Sequence, residues 1–460
     1  MSPPGGRSAA APRAAWLVAA IAVAAVSFLA ALAVNLAGCG RGPAGSAEGS
    51  GEVTLRFWGL GREGEVAREL VLEFERANPG VRVDVQQIPW TAADAKLLTA
   101  VVGDSTPDVA QIGNTWIAEM VALKALAPLT GRVAASLEID PEGYFAGAWD
   151  ANVLDGEVWG VPWYVDTRLL FYRRDLLAAA GVGEPPRTWS AWRAAMERVR
   201  EFTGPHRWAV LLPVNEFEQP VIFGLEQGST LLANGGRRGA FSEPPFARAM
   251  EFYVGLFRDG LAPVVSYNQV GNVYQDFACG DYAFWVTGPW NLGEFASRLP
   301  LDLQDAWVTA LMLAPDDRAD AFGVLLAGGA SLVIFRRSPH PDLAWRLIEF
   351  LSDPAQQLRL HQLSGDLPAR IAAWDDPALG GDPRVAAFRE QLDHTVPTPT
   401  VPEWQRISIK LAERLDPAIR GRQSVAEALA GLDADVDRIL EKRRWLLDRR
   451  IGPEGSEALP

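Results

Sequence analysis

Residues 53–85 constrain the fold more than any other stretch. Val53-Thr54-Leu55-Arg56-Phe57-Trp58 alternates apolar and polar side chains, the period of a half-buried strand. Val66, Leu70, Val71 and Phe74 then recur at helical spacing, Asn78-Pro79-Gly80 supplies a stop, and Val81, Val83 and Val85 alternate again. This is a β-α-β unit, in which the helix carries the chain back so that two strands can lie parallel. A second helical stretch, Ala93 to Val102, leads through Ser105-Thr106-Pro107 into Asp108-Val109-Ala110-Gln111-Ile112, the next strand. An α/β sheet with helices on its faces follows. Ligands of such sheets bind beyond the C-terminal strand ends, here Trp58-Gly59-Leu60-Gly61 and Gly113-Asn114-Thr115-Trp116.

The same periodicity marks the far end of the chain. Ser424 with Glu427 three residues on fits a capping box, and Val425, Leu429, Leu432, Val436 and Leu440 continue a helical stripe. Between Pro205 and Pro315 short aromatic and helical pieces follow one another without a repeat.

Ahead of the first strand stands a different kind of segment. Arg7 and Arg13 are its only charges; an apolar run from Ala14 to Val34 follows and ends in Leu36-Ala37-Gly38-Cys39. A basic start, an apolar middle and small residues before a cut describe a secretory signal, and the last four residues resemble a bacterial lipobox. In lipoproteins the thiol of that cysteine takes a diacylglycerol and the peptide is cut before it, so Cys39 would become the acylated first residue. The other reading is an uncleaved membrane anchor, since Ala14 to Val34 approaches the roughly 20 residues that span a bilayer. Both place the remainder outside the cytoplasmic membrane. Ala44-Gly45-Ser46-Ala47-Glu48-Gly49-Ser50-Gly51 has the composition of a flexible tether, giving a signal at 1–38, a tether at 39–51 and a globular part from Glu52.

Charge and ligand chemistry exclude several function classes. Removing the signal takes two Arg from the 43 basic residues and none from the 57 acidic ones, leaving −16. Phosphate binding needs a basic surface, so nucleic acid is not an expected partner. With Cys39 acylated, Cys279 has no disulfide partner and reads as a core thiol; four scattered His give no metal cluster, and no cofactor is expected. The 17 Trp stand out instead. Trp offers a flat face to the C–H face of a pyranose and an N–H to a hydroxyl, although most Trp in a folded chain serve its core.

Further motifs, in order, are Phe74-Glu75-Arg76-Ala77-Asn78-Pro79-Gly80, Gly156-Glu157-Val158-Trp159-Gly160-Val161-Pro162-Trp163, Asp166-Thr167-Arg168-Leu169-Leu170-Phe171-Tyr172-Arg173, Gly288-Pro289-Trp290-Asn291, Gly328-Gly329-Ala330-Ser331 and Phe350-Leu351-Ser352-Asp353-Pro354. Their shared order resembles the extracellular solute-binding proteins of ABC sugar importers, the maltose, maltodextrin and trehalose-binding group. The resemblance implies a two-lobed periplasmic binding protein type II fold with discontinuous lobes. The first would hold 52–165 plus about 308–358, the second 166–307 plus about 359–460. It further implies a monomer that captures a di- or oligosaccharide in the interlobe cleft, delivers it to permease subunits, and stays on the outer face of the membrane through its lipid on Cys39.

Sugars present hydroxyls at their edges and C–H groups on their faces, so a site needs charged or amide groups beside planar aromatics. Trp163-Tyr164-Val165-Asp166-Thr167-Arg168 offers both kinds at the expected first crossing. The resemblance places Asp166 on sugar hydroxyls and makes Trp290, beside Asn291, the main stacking ring. It puts Asn114 and Gly329 at the cleft, Asn114 where relatives often carry Asp, and Ala330 where an aromatic often stands. Trp58, Glu63, Glu403 and Trp404 complete the expected contacts. A secreted carbohydrate hydrolase is the rival from another class, but nothing sets apart the pair of carboxyls that glycoside cleavage needs, and the protein is not expected to be an enzyme. A binding protein for a non-sugar solute such as a glycerol phosphodiester, or a receptor-type surface lipoprotein without uptake, are the remaining alternatives.

Overall fold

The computed structural model describes residues 52–318 and 323–451; the signal, the tether and Cys39 lie outside the described residues. The chain builds two main sheets in alternation, one of six strands and one of four. Strand β1 (Val53–Leu60), helix α1 (Gly61–Ala77), strand β2 (Val81–Ile88), helix α2 (Trp90–Val102) and strand β3 (Val109–Gly113) follow the expected order. β1 pairs parallel with both β2 and β3. The helical stripe read from sequence is the buried face of α1, where Val66, Leu70, Val71 and Phe74 pack under the sheet. Its end is set by Asn78, whose side chain donates to the Phe74 carbonyl at 2.8 Å, and by Gly80 at φ +85°.

Strand β4 (Val161–Asp166) completes the first pass, and only two residues later β5 (Leu169–Arg173) opens the second sheet. Helix α3 (Trp189–Thr203), strand β6 (Val210–Leu211), helix α4 (Glu218–Glu226), helix α5 (Pro244–Arg258), strand β7 (Phe284–Thr287), helix α6 (Trp290–Arg298) and strand β8 (Trp307–Ala310) follow. This sheet has the order β8-β5-β7-β6. Its strands bury aromatics, as when Phe171 of β5 stacks on Trp307 of β8 with centroids 5.9 Å apart.

The chain then returns. Strand β9 (Gly328–Ile334) runs antiparallel between β3 and β4, helix α7 (Pro341–Leu351) and helix α8 (Pro354–Ser364) follow, and the two-residue β10 (Leu367–Pro368) closes the first sheet at its edge. That sheet has the order β10-β4-β9-β3-β1-β2. Helix α9 (Pro383–Leu392) packs on β8, and α10 (Trp404–Ile419) and α11 (Val425–Ile439) pack on α5, so these helices belong with the second sheet. Against expected crossings near 308 and 359, β8 still belongs to the second sheet and α8 packs on α1 of the first. The capping box forms: Ser424 N donates to Glu427 Oε2 at 2.9 Å and Glu427 N to Ser424 Oγ at 3.2 Å.

Three connections therefore run between the sheets, and they are tied to one another. Thr167 in the first donates to the Leu326 carbonyl in the second at 3.1 Å, and Leu325–Leu326 pairs parallel with Thr395–Val396 in the third. Among the described residues no helix is long and apolar enough to cross a membrane. The expectation of a core thiol fails: Cys279 is exposed. It ends a helix whose inward residues are Val273 and Phe277, and two residues past Phe277 a helical side chain points away from the core.

Candidate ligand-binding cleft

A cavity of about 510 Å³ lies beside these connections, with walls from both sheets. Glu63 and Trp90 stand at the starts of α1 and α2, Asn114 and Trp116 just past β3, Tyr164 and Asp166 on β4, Gly328 and Gly329 at the start of β9, and Asp366 before β10. From the other side come Phe217 and Glu218 at the start of α4, Trp290 at the start of α6 and Gln405 in the first turn of α10. Arg62, Gly113, Thr115, Arg168 and Leu326 complete the wall. The first wall is thus the C-terminal edge of β1 and β3 with the turns beyond it, where a parallel sheet leaves room.

Strand periodicity decides which of the motif residues reach the cavity. On β4, Tyr164 and Asp166 share one face and line it, whereas Trp163 lies on the opposite face, wholly buried, edge-on to Phe57 at 5.9 Å. Trp163 is therefore a core residue, contrary to the expectation. Trp58 is likewise buried among Leu60, Ile88 and Ile112, with Lys96 Nζ 4.6 Å above its ring. Asn291 is fully buried, donating to Thr287 Oγ1 at 2.7 Å and accepting from Tyr274 at 2.9 Å, because it faces the core one residue past the half-buried Trp290. Trp404 turns into the second core, 6.3 Å from Phe217, and so backs the cavity instead of lining it; Glu403 precedes it outside the lining.

Glu63, Asn114, Tyr164, Asp166, Arg168, Trp290 and Gly329 do line the cavity. Asn114 has both ends of its amide engaged, donating to the Gly328 carbonyl at 3.0 Å and accepting from Ser331 Oγ at 2.8 Å. Ala330, paired with Gly113 and Tyr164, is fully buried in the sheet. Sequence reasoning did not single out Arg62, Trp90, Phe217, Glu218, Gln405 or Asp366, which also line the cavity. Trp90 follows the end of β2 in Ile88-Pro89-Trp90, the same strand-end signal that pointed to Asn114. Trp90 and Trp116 meet edge-to-face with centroids 5.6 Å apart. The Trp90 indole closes over Gly61, at φ +51°, where a Cβ would stand 2.7 Å from Nε1.

The electrostatics are acidic and incompletely compensated. Asp166 and Glu218 both pair with Arg168, Oδ1 to Nη1 at 3.1 Å and Oε1 to Nη2 at 3.5 Å, and burial raises both carboxyls while the guanidinium opposes it. Glu63 and Asp366, 7% and 5% exposed, have no ion-pair partner among the described residues. Burial raises Glu63, opposed by its own backbone N–H, the Tyr164 hydroxyl and the Trp90 indole N–H. Burial, with Glu63 and Asp166 as like-charged neighbours, holds Asp366 well above the usual carboxylate range. The Tyr164 hydroxyl, which accepts from Gln111 Nε2 at 3.3 Å, is pushed well up by burial and by Glu63. The arrangement offers flat aromatic faces and many acceptors to a neutral, hydroxyl-rich ligand.

Comparison with known proteins agrees with this geometry. Residues 58–358 match the bacterial extracellular solute-binding protein family, and the chain belongs to it. The structure of the sugar-binding protein MalE from the phytopathogen Xanthomonas citri superposes with a TM-score of 0.81 at 46% identity, covering 86% of this chain and all of that one. An uncharacterized lipoprotein from the oleD 5′ region of Streptomyces antibioticus is 30% identical over 366 residues, 76% of this chain and 77% of its own. The diacetylchitobiose binding protein DasA of Streptomyces coelicolor is 23% identical over 406 residues, 85% of this chain and 90% of its own. The family, MalE and DasA are binding proteins, not enzymes, and the fold is the two-lobed one of periplasmic sugar-binding proteins.

Proposed function

We propose that this member of the extracellular solute-binding family captures a di- or oligosaccharide of the maltose or trehalose type between its lobes and delivers it to the permease of an ABC importer. The cavity carries the reading: at about 510 Å³ it is of ligand size, and Trp90, Trp116 and Trp290 stand beside Glu63, Asp166 and Asp366. Rings for sugar faces and carboxylates for sugar hydroxyls occur together, as a saccharide requires. Four acids against an already paired Arg168 and the rim residue Arg62 disfavour a phosphodiester, whose charge would meet carboxylates of its own sign. Sheet membership supports lobes of 52 to Asp166 with Gly328–Pro368, and Leu169–Ala310 with Pro383 to 451. Closure about the three tied connections would exclude water from the ligand, the closed form gaining only by its greater affinity for it. The lipobox supports a chain held at the outer face of the membrane by its lipid on Cys39.

A thermal-shift and calorimetric screen over maltose, trehalose, maltotriose and chitobiose tests the reading. Saturable binding with the sugar recovered intact is the expected result. A response only to an amino acid, a polyamine or a phosphodiester would overturn it.

A further inference from the structure

The first connection between the sheets carries a side chain whose contacts are already committed. Arg168 stands two residues past the end of β4 and directly before β5. Its Nη1 donates to Asp166, at the end of the first sheet, at 3.1 Å. Its Nη2 lies 3.5 Å from Glu218, which begins a helix of the second lobe. Its planar guanidinium lies over Trp290, at the start of another second-lobe helix, 4.4 Å from the ring centroid. The side chain is only 13% exposed. One rigid, charged plane thus touches a first-lobe carboxylate, a second-lobe carboxylate and a second-lobe indole, all three of which line the cavity.

We infer that Arg168 is a positioning residue. It fixes the Trp290 ring and the setting of the two lobes, and leaves the sugar only the part of that ring the guanidinium does not cover. The chemistry needs arginine specifically. A fork can bridge two carboxylates while its flat face stacks on an indole; a lysine ammonium is a compact charge that can keep one ion pair but not the bridge with the stack. This makes the half-buried Trp90, backed edge-to-face by the buried Trp116, the further aromatic surface for a sugar ring, with Trp290 a second wall whose orientation Arg168 holds.

The inference rests on the sugar-binding reading for its effect on affinity, but not for its geometry, and the test separates the two. Arg168→Met, Arg168→Lys and Glu218→Gln are compared with the parent protein, first without sugar, by small-angle scattering and near-ultraviolet circular dichroism, with Trp290→Phe identifying the Trp290 band. Expected are a larger radius of gyration and loss of the Trp290 band in Arg168→Met, with Arg168→Lys recovering part of the first and little of the second. Parent-like scattering and spectrum in both Arg168 variants would overturn the inference. Should Arg168→Met not fold, Arg168→Lys and Glu218→Gln carry the same measurement. Maltose titration then follows: Arg168→Met should bind on the order of tenfold more weakly. A parent protein that binds none of the sugars, with the scattering and spectral changes present, would remove the sugar reading and leave the positioning role standing.

Discussion

Glu63 and Asp366 reach the same cavity from opposite ends of the chain that builds the first sheet, and the Glu63 carboxylate makes Asp366 harder to ionise. Neither meets a cation among the described residues; Glu63 is held by donors from Tyr164 and Trp90, and Asp366 by Ser364. Asp166 adds a third charge of the same sign. An acid whose folded pKa lies above its unfolded value favours the folded state while protonated, below about pH 4, and that contribution is lost as pH rises through the folded pKa. Asp366→Asn removes the ionisation while keeping the shape. The variant should melt close to the parent at pH 4 and increasingly above it toward pH 8, followed by differential scanning fluorimetry in matched ionic strength. A gap that stays constant or narrows with pH would contradict the burial of an unpaired Asp366.

Two tryptophans, Trp163 expected at the site from the sequence and Trp90 not, should separate cleanly in experiment. Trp163 is fully buried against Phe57, whereas Trp90 lines the cavity. Trp90→Leu should weaken sugar binding by roughly 10- to 100-fold, the order expected when a stacking platform worth about 1–3 kcal/mol is lost, with a small change in melting temperature. Trp163→Ala should instead cost about 3–5 kcal/mol of stability, as for other large-to-small core substitutions, and leave affinity within a few-fold. Calorimetric titration and urea unfolding on both variants decide the matter; a reversed pattern would exchange their roles.

Cys279 is exposed at a helix end. It should therefore react stoichiometrically with a maleimide in the native protein, without denaturant. Cys279→Ser in a protein beginning after Cys39 should abolish the labelling. Labelling that appears only on unfolding would show a buried thiol.

What was legible in the sequence depended on the range of the interaction. The β-α-β unit was readable because alternation, helical spacing and the Asn78-Pro79-Gly80 stop act over a few residues, and the Ser424–Glu427 box for the same reason. The face of β4 was readable too: the alternation that buries Trp163 is the one that brings Tyr164 and Asp166 to the cavity, and reading the motif residue by residue concealed it. Glu218 and Asp366 were not readable. Glu218 enters through an ion pair across the first connection, and Asp366 is placed by the pairing of the two-residue β10 with β4. Neither contact has a local pattern. The fate of Asn114 is similar, since its amide is consumed by Gly328 and Ser331 from the returning strand.

That returning strand supplies the last prediction. Gly329 has φ +104°, a conformation that side chains with a Cβ rarely adopt, and it lies against the Tyr164 carbonyl so closely that an added Cβ would overlap it. Backbone conformation and space therefore both require glycine here. Alanine must either carry strain on the order of 1–3 kcal/mol or push β9 away from β4. The second response would move the Gly328 carbonyl that holds Asn114, and with it the wall that carries Tyr164 and Asp166. Gly329→Ala should lower both the urea midpoint and sugar affinity. Ala330→Gly, one residue on at a buried position without the positive φ of Gly329, should cost stability alone. Equal affinity in the two variants would mean that the glycine serves the sheet and not the cavity wall.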